Sequence, residues 1–178
     1  MAMPTEQLVQ IEGLTLVRYP NIGAPHATTT RIGGVSSGPY ASLNVGLTTA
    51  DNPECVAENR ARLSRAVGFS VVPRVFMNHG TNVWVFDEFP QAGSPLPTAD
   101  ACISRVPGLG LAVTAADCVP ITFYCPDTGA VGAAHAGWRG AVAGIAGETI
   151  AAMVRHYGCQ AQRICVAIGP CTPGQDRE

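Results

Sequence analysis

Pro120-Ile121-Thr122-Phe123-Tyr124-Cys125-Pro126-Asp127-Thr128-Gly129-Ala130-Val131-Gly132-Ala133-Ala134-His135-Ala136-Gly137-Trp138-Arg139-Gly140 is the stretch whose reading decides the fold. Two apolar runs, Pro120 to Tyr124 and Ala130 to His135, flank Pro126, Asp127 and Gly129, which are turn residues. That pattern predicts a β-hairpin in an antiparallel or mixed sheet. Directly after it the spacing changes from two to nearly four, predicting a helix from about Trp138 to His156 that ends at Gly158. Val142, Ile145, Ile150 and Met153 form its expected buried face. Glycines 140, 144 and 147 lie inside it and each costs up to about 1 kcal/mol relative to alanine. Such a cost is reasonable where a helix packs very close to a sheet.

Working outward, Leu14 to Tyr19, Arg74 to Asn78, Asn82 to Phe86, Leu109 to Ala115 and Arg163 to Ile168 are further expected strands. Thr28 to Tyr40 has loop composition, with Gly33, Gly34, Ser36, Ser37, Gly38 and Pro39. Asp51, Pro53 and Glu54 mark a helix start, and Gly68 supplies its stop. Val56, Leu63 and Val67 share one side of that helix.

The chain has 178 residues, 47% hydrophobic and 13% charged, with a net charge of -2. These values fit one compact domain spanning residues 1–178. All 11 basic residues are arginine, and the absence of lysine excludes Schiff-base, pyridoxal-phosphate and Walker P-loop chemistry. Near-balanced charge without like-charge runs argues against nucleic acid and anionic membrane as partners. The seven cysteines form no C-x-x-C pair, so most are expected to be free thiols in a reducing cytoplasm. Met1 to Leu14 lacks a signal-peptide pattern, and no apolar run approaches the roughly 18 residues of a membrane span.

Two histidines precede glycine-containing turns: His79 before Gly80, and His135 in His-Ala-Gly-Trp-Arg-Gly. Asp117-Cys118 ends the apolar region that starts at Leu109. Their sequence separations are too long for a finger-type module, so a shared site must be assembled by the sheet. Two imidazoles and a thiolate would make a zinc tripod with an open fourth position. Cys118 could instead be a nucleophile activated by His79 or His135. It could also be a buried core thiol with both histidines satisfied by backbone. Spacing alone leaves these three readings open. Arg139, in the first turn of the predicted helix, fits a phosphate site or a surface ion pair. Trp138 is expected to pack in the core. Asp117 fits general acid-base work, orientation of a histidine, or turn capping. Arg31 and Asn44 would reach a ligand or fix the glycine-rich loop.

The blocks Thr29-Thr30-Arg31-Ile32-Gly33-Gly34-Val35-Ser36, Gly38-Pro39-Tyr40 with Ser42-Leu43-Asn44, Asp51-Asn52-Pro53 with Asn59-Arg60, and His79-Gly80-Thr81-Asn82-Val83 occur in order. Pro97-Thr98-Ala99-Asp100-Ala101, Ala116-Asp117-Cys118-Val119-Pro120, Ala134 to Gly140 and Ala167-Ile168-Gly169-Pro170-Cys171 follow. As a set, covering most of residues 25 to 171, they resemble the YfiH or laccase-domain family, also called the multicopper polyphenol oxidase family.

That resemblance implies an α+β sandwich of mixed or antiparallel sheets with flanking helices. It implies a zinc site from His79, Cys118 and His135, with copper the less favoured metal. The activity it implies is phosphorolysis of adenosine, inosine or methylthioadenosine, together with adenosine deamination. True multicopper oxidase chemistry needs more histidines than the four present. Two departures qualify the transfer. The usual Gln-Val-His-Gly is Met77-Asn78-His79-Gly80 here, and family members continue well beyond the Gly-Pro-Cys block, whereas this sequence ends at Glu178. A domain short at its C-terminus is therefore expected. With it goes the alternative of a catalytically silent metal- or ligand-binding domain.

Overall fold

Glu12 and Gly13, with φ of 49° and 80°, turn the chain between β1 (Gln7–Ile11) and β2 (Leu14–Arg18). Positive φ at both central residues is the two-residue hairpin solution that matches strand twist. The computed structural model describes residues 6–68, 75–91 and 93–172. β1 escapes sequence reading because Glu-Gly is a weaker signal than Asn-Gly and because its residues are mostly exposed. The short β3 (Thr28–Thr29) completes a three-stranded antiparallel sheet in the order β1-β2-β3.

Helix α1 (Pro53–Val67) packs beside this sheet, and Leu14, Leu16, Leu43 and Ala66 form a buried cluster with Leu63 against it. Asn52, rather than Asp51, caps the helix by accepting from the Glu54 N–H, and Gly68 ends it in the left-handed conformation. Asp51 instead takes hydrogen bonds from Ser36 and Asn44. Asn59 on α1 is fully buried and satisfied: its amide donates to Ser36, Ser42 and Asn44, and its oxygen accepts from Val35. One helix residue thus organises the glycine-rich loop.

These elements form one unit, residues 1–20 and 25–71; residues 21–24 and 72–178 form a second. The second unit is built on a five-stranded mixed sheet. Its strands are β4 (Val83–Phe86), β5 (Ala101–Ser104), β6 (Val119–Tyr124), β7 (Val131–Ala136) and β8 (Cys165–Ile168), in the order β4-β5-β7-β6-β8. Only β4 and β5 run parallel. The predicted hairpin is β6-β7, in register from Val119↔Ala136 to Tyr124↔Val131. Phe123, Ile103 and Met153 are fully buried between sheet and helix, each contributing about 1.5–3 kcal/mol.

Several elements depart from expectation. Leu109 to Ala115 forms no strand; Leu109 joins a second apolar cluster with Val75, Phe86, Ala99 and Cys102. Expected strand 74–78 is reduced to a single parallel bridge, Phe76↔Thr98, with Arg74 outside the described residues. The long second helix is two: α2 (Trp138–Ala143) and α3 (Ile145–Tyr157), broken at Gly144 with φ of 90°. That break resets the helical phase. Val142 is therefore 85% exposed, while Ile145 and Met153 remain buried. The glycines divide accordingly. A Cβ on Gly140 would lie 2.7 Å from the Gly80 carbonyl oxygen, Gly144 makes the break, and Gly147 faces open space. Nothing in the structure explains Gly147.

Candidate metal centre

β7 carries His135 next to its end, and the sheet register sets it opposite Pro120 of β6. Side chains two residues apart on a strand share a face. Cys118, two residues before Pro120, therefore falls diagonally across from His135. It stands just ahead of β6 rather than at the end of an earlier strand. His79 arrives from the loop between Phe76 and β4. Ligand atoms of His79, Cys118 and His135 all lie within 4.8 Å of one another, drawn from three separate segments.

The two imidazoles meet edge to face, with centroids 5.0 Å apart and planes at 87°. His135 is buried, Cys118 is half-buried and His79 is exposed, so the cluster is open on the His79 side. Gly137 makes room for it. A Cβ there would lie 2.3 Å from His79 Nδ1 and 3.1 Å from its Cε1. Two nitrogens and a thiolate are a borderline-soft donor set suited to zinc or copper, and three protein ligands leave one position for water or substrate.

Asp100, fully buried immediately before β5, is the residue that sequence reasoning did not place in the site. Its Oδ1 lies 2.9 Å from His135 Nδ1 and accepts from the His79 N–H at 2.9 Å. Its Oδ2 accepts from the N–H groups of Asn78 at 3.2 Å and Gly80 at 2.7 Å. Burial pushes the Asp100 carboxyl up, but the bonds from His135, Gly80, Asn78 and His79 outweigh it and hold the group below the ordinary carboxylate range. A carboxylate only accepts, so the tautomer protonated on Nδ1 satisfies this contact and leaves Nε2 as the donor atom for a metal. An aspartate among small apolar residues, Ala-Asp-Ala-Cys-Ile, was the available signal.

The other expected site residues stand as follows. Asp117 is exposed and accepts from the Thr172 hydroxyl at 3.0 Å. Trp138 is 60% exposed rather than core, and the Arg139 guanidinium lies 5.2 Å from its ring centroid, in cation–π range. Because α2 has six residues, Arg139 has little helix dipole behind it. Arg31 directs Nε and a terminal nitrogen at the Ala41 carbonyl. Asn44 donates to Thr49 and Asp51 and accepts from the Gly46 N–H. Both belong to the first unit. Met77 packs against the second apolar cluster.

The chain is similar to several known proteins. Purine nucleoside phosphorylase of Deinococcus radiodurans is 44% identical over 168 residues, which is 93% of this chain and 64% of that protein. A purine nucleoside phosphorylase of Corynebacterium glutamicum is 42% identical over 152 residues, 84% of this chain and 61% of its own length. The chain thus spans under two thirds of the length of these relatives. The crystal structure of YlmD from Geobacillus stearothermophilus superimposes with a TM-score of 0.83 at 33% identity, covering 94% of this chain and 66% of that one. The α+β architecture, the ordered motifs and a match over residues 25–178 together establish that the chain belongs to the multi-copper polyphenol oxidoreductase laccase family.

Proposed function

We propose that this chain carries the zinc centre of a purine nucleoside phosphorylase acting on adenosine, inosine or methylthioadenosine, and that the same centre deaminates adenosine. The observation that carries the proposal is the convergence of His79, Cys118 and His135 within 4.8 Å. Relatives named purine nucleoside phosphorylase supply the substrate class. Zinc held by these three residues would supply Lewis acidity and lower the pKa of water.

The remaining roles belong to the chain's own residues. In phosphorolysis a phosphate oxygen bonds to ribose C1′ while the bond to the purine nitrogen breaks, giving free base and ribose 1-phosphate. Without lysine, the phosphate must be held by arginine or backbone N–H groups, and we assign Arg139, an exposed residue two positions after Gly137. Asp117, exposed and adjacent to Cys118, is assigned proton transfer. Arg31 and Asn44, engaged within their own loop, are assigned to fix that loop rather than to grip phosphate. Seven unpaired thiols support a reducing cytoplasmic location. Among the described residues no helix is long and apolar enough to cross a membrane.

Metal-replete protein incubated with inosine and phosphate should release hypoxanthine and ribose 1-phosphate, and with adenosine alone should yield inosine. Absence of all these products would refute the proposal. A second reading has one observation in its favour: Asp100 behind His135 also completes a Cys118-His135-Asp100 nucleophile arrangement. It predicts loss of activity on alkylation of Cys118 and none on chelation. Inactivation by a chelator, reversed by zinc, would exclude it.

A further inference from the structure

We propose that Asp100 is the positioning residue of this centre, fixing both histidines through one buried carboxylate. The inference rests on the metal reading above and deepens it. Asp100 connects the two ligands differently. It reaches the His135 side chain, accepting from Nδ1, so that only Nε2 is available as a donor atom. It reaches His79 through the backbone, accepting from three consecutive N–H groups at 78, 79 and 80.

That second hold matters because His79 adopts φ of 61°, a left-handed conformation unusual for a residue with a Cβ. Such a conformation persists only where surrounding contacts determine it. Here the contacts are the two oxygens of Asp100 beneath the 78–80 turn. Asp100 is itself fixed at both ends of its backbone: its N–H donates to the Asn82 carbonyl, and its carbonyl accepts from the His135 N–H at 2.7 Å. One side chain with 0% exposure thus couples β5, the end of β7 and the His79 turn. A carboxylate behind a ligating histidine sets its tautomer and raises its basicity, and loss of such a group weakens metal binding by about 10–100-fold.

The test compares wild type, Asp100→Asn and Asp127→Asn in the full chain. Asp127 is exposed on the same unit and pairs with Arg163, so its variant controls for loss of a carboxylate. Zinc affinity is read by competition with a chromophoric chelator, and ligand geometry by the visible absorption of the cobalt-substituted protein. Asp100→Asn should bind zinc about 10–100-fold more weakly, with an altered cobalt spectrum, while Asp127→Asn matches wild type. Asp100→Asn binding within about twofold of wild type, with an unchanged cobalt spectrum, would overturn the inference and leave the metal reading standing. Wild type that takes up neither ion would overturn both. If Asp100→Asn does not fold, nitrogen-15 spectra of wild type decide: His135 protonated on Nδ1 supports the inference, and protonation on Nε2 alone refutes it.

Discussion

Replacing Gly137 with alanine should weaken metal binding while leaving the fold intact, because the three atoms nearest the added methyl group all belong to one ligand, His79. The Gly137 backbone, φ -64° and ψ 160°, is one alanine adopts freely, so no conformational penalty arises. The new Cβ would stand 2.3 Å from His79 Nδ1, 3.1 Å from Cε1 and 3.2 Å from Cγ, whereas ordinary contact begins at 3.4 Å. The imidazole must therefore retreat by roughly 1 Å, and being exposed it has room to do so. A displacement of that size at a functional group costs up to about 100-fold. We expect zinc affinity to fall about 10–100-fold, equivalent to about 1.4–2.7 kcal/mol. The melting temperature of the metal-free protein should change little. Chelator competition measures the first quantity, and thermal unfolding with excess chelator measures the second. Unchanged zinc affinity in Gly137→Ala would show that His79 is not a ligand in this geometry.

Other consequences follow from individual contacts. Gly140→Ala should destabilise by about 1–2 kcal/mol, since overpacking against the Gly80 carbonyl at 2.7 Å outweighs the helix-propensity gain. Gly147→Ala, facing open space, should stabilise by up to about 1 kcal/mol; urea unfolding of the pair tests whether the steric distinction is real. Burial pushes the Cys102 thiol up to about 12, so iodoacetamide at pH 8 should leave Cys102 unmodified, label exposed Cys171, and label Cys118 only in zinc-free protein, as read by peptide mass mapping. The Ser36 hydroxyl, joined by Asn44 and the Asn52 N–H, holds the Asp51 carboxyl below its ordinary value despite some burial. Its stabilisation is thus present above the unfolded value of about 3.9 and is lost as pH falls through the lower folded value. Asp51→Asn should flatten that part of the acid-unfolding curve.

Legibility from sequence followed the range of the interactions involved. The β6-β7 hairpin was readable because its strands and its Pro-Asp-Thr-Gly turn lie within 18 residues, and α1 because Pro53 and Gly68 mark its ends. The four residues of β5, all buried, have no alternation to read. Gly144 was indistinguishable in sequence from Gly140 and Gly147; only the fold decides which glycine takes positive φ, which avoids a backbone collision and which does neither. His79, Cys118 and His135 were identified through the resemblance of their surrounding blocks, since their spacing had left three readings open. Asp100 stayed hidden because three of its four carboxylate partners are backbone N–H groups some twenty residues away, which carry no residue-type signature. Trp138 was misplaced for a different reason: a large aromatic residue is buried on average, but α2 is a short outward-facing turn of helix.

The proposed zinc centre requires three side chains from separate segments, His79, Cys118 and His135, to hold one ion. Elemental analysis of the purified wild-type protein and of Cys118→Ala, both dialysed against the same trace of zinc, tests it most directly. Wild type should carry close to one zinc per chain, and Cys118→Ala should lose most of it with the fold retained. A wild-type protein without stoichiometric metal, or a Cys118→Ala protein that keeps it, would show that His79, Cys118 and His135 do not form a zinc site.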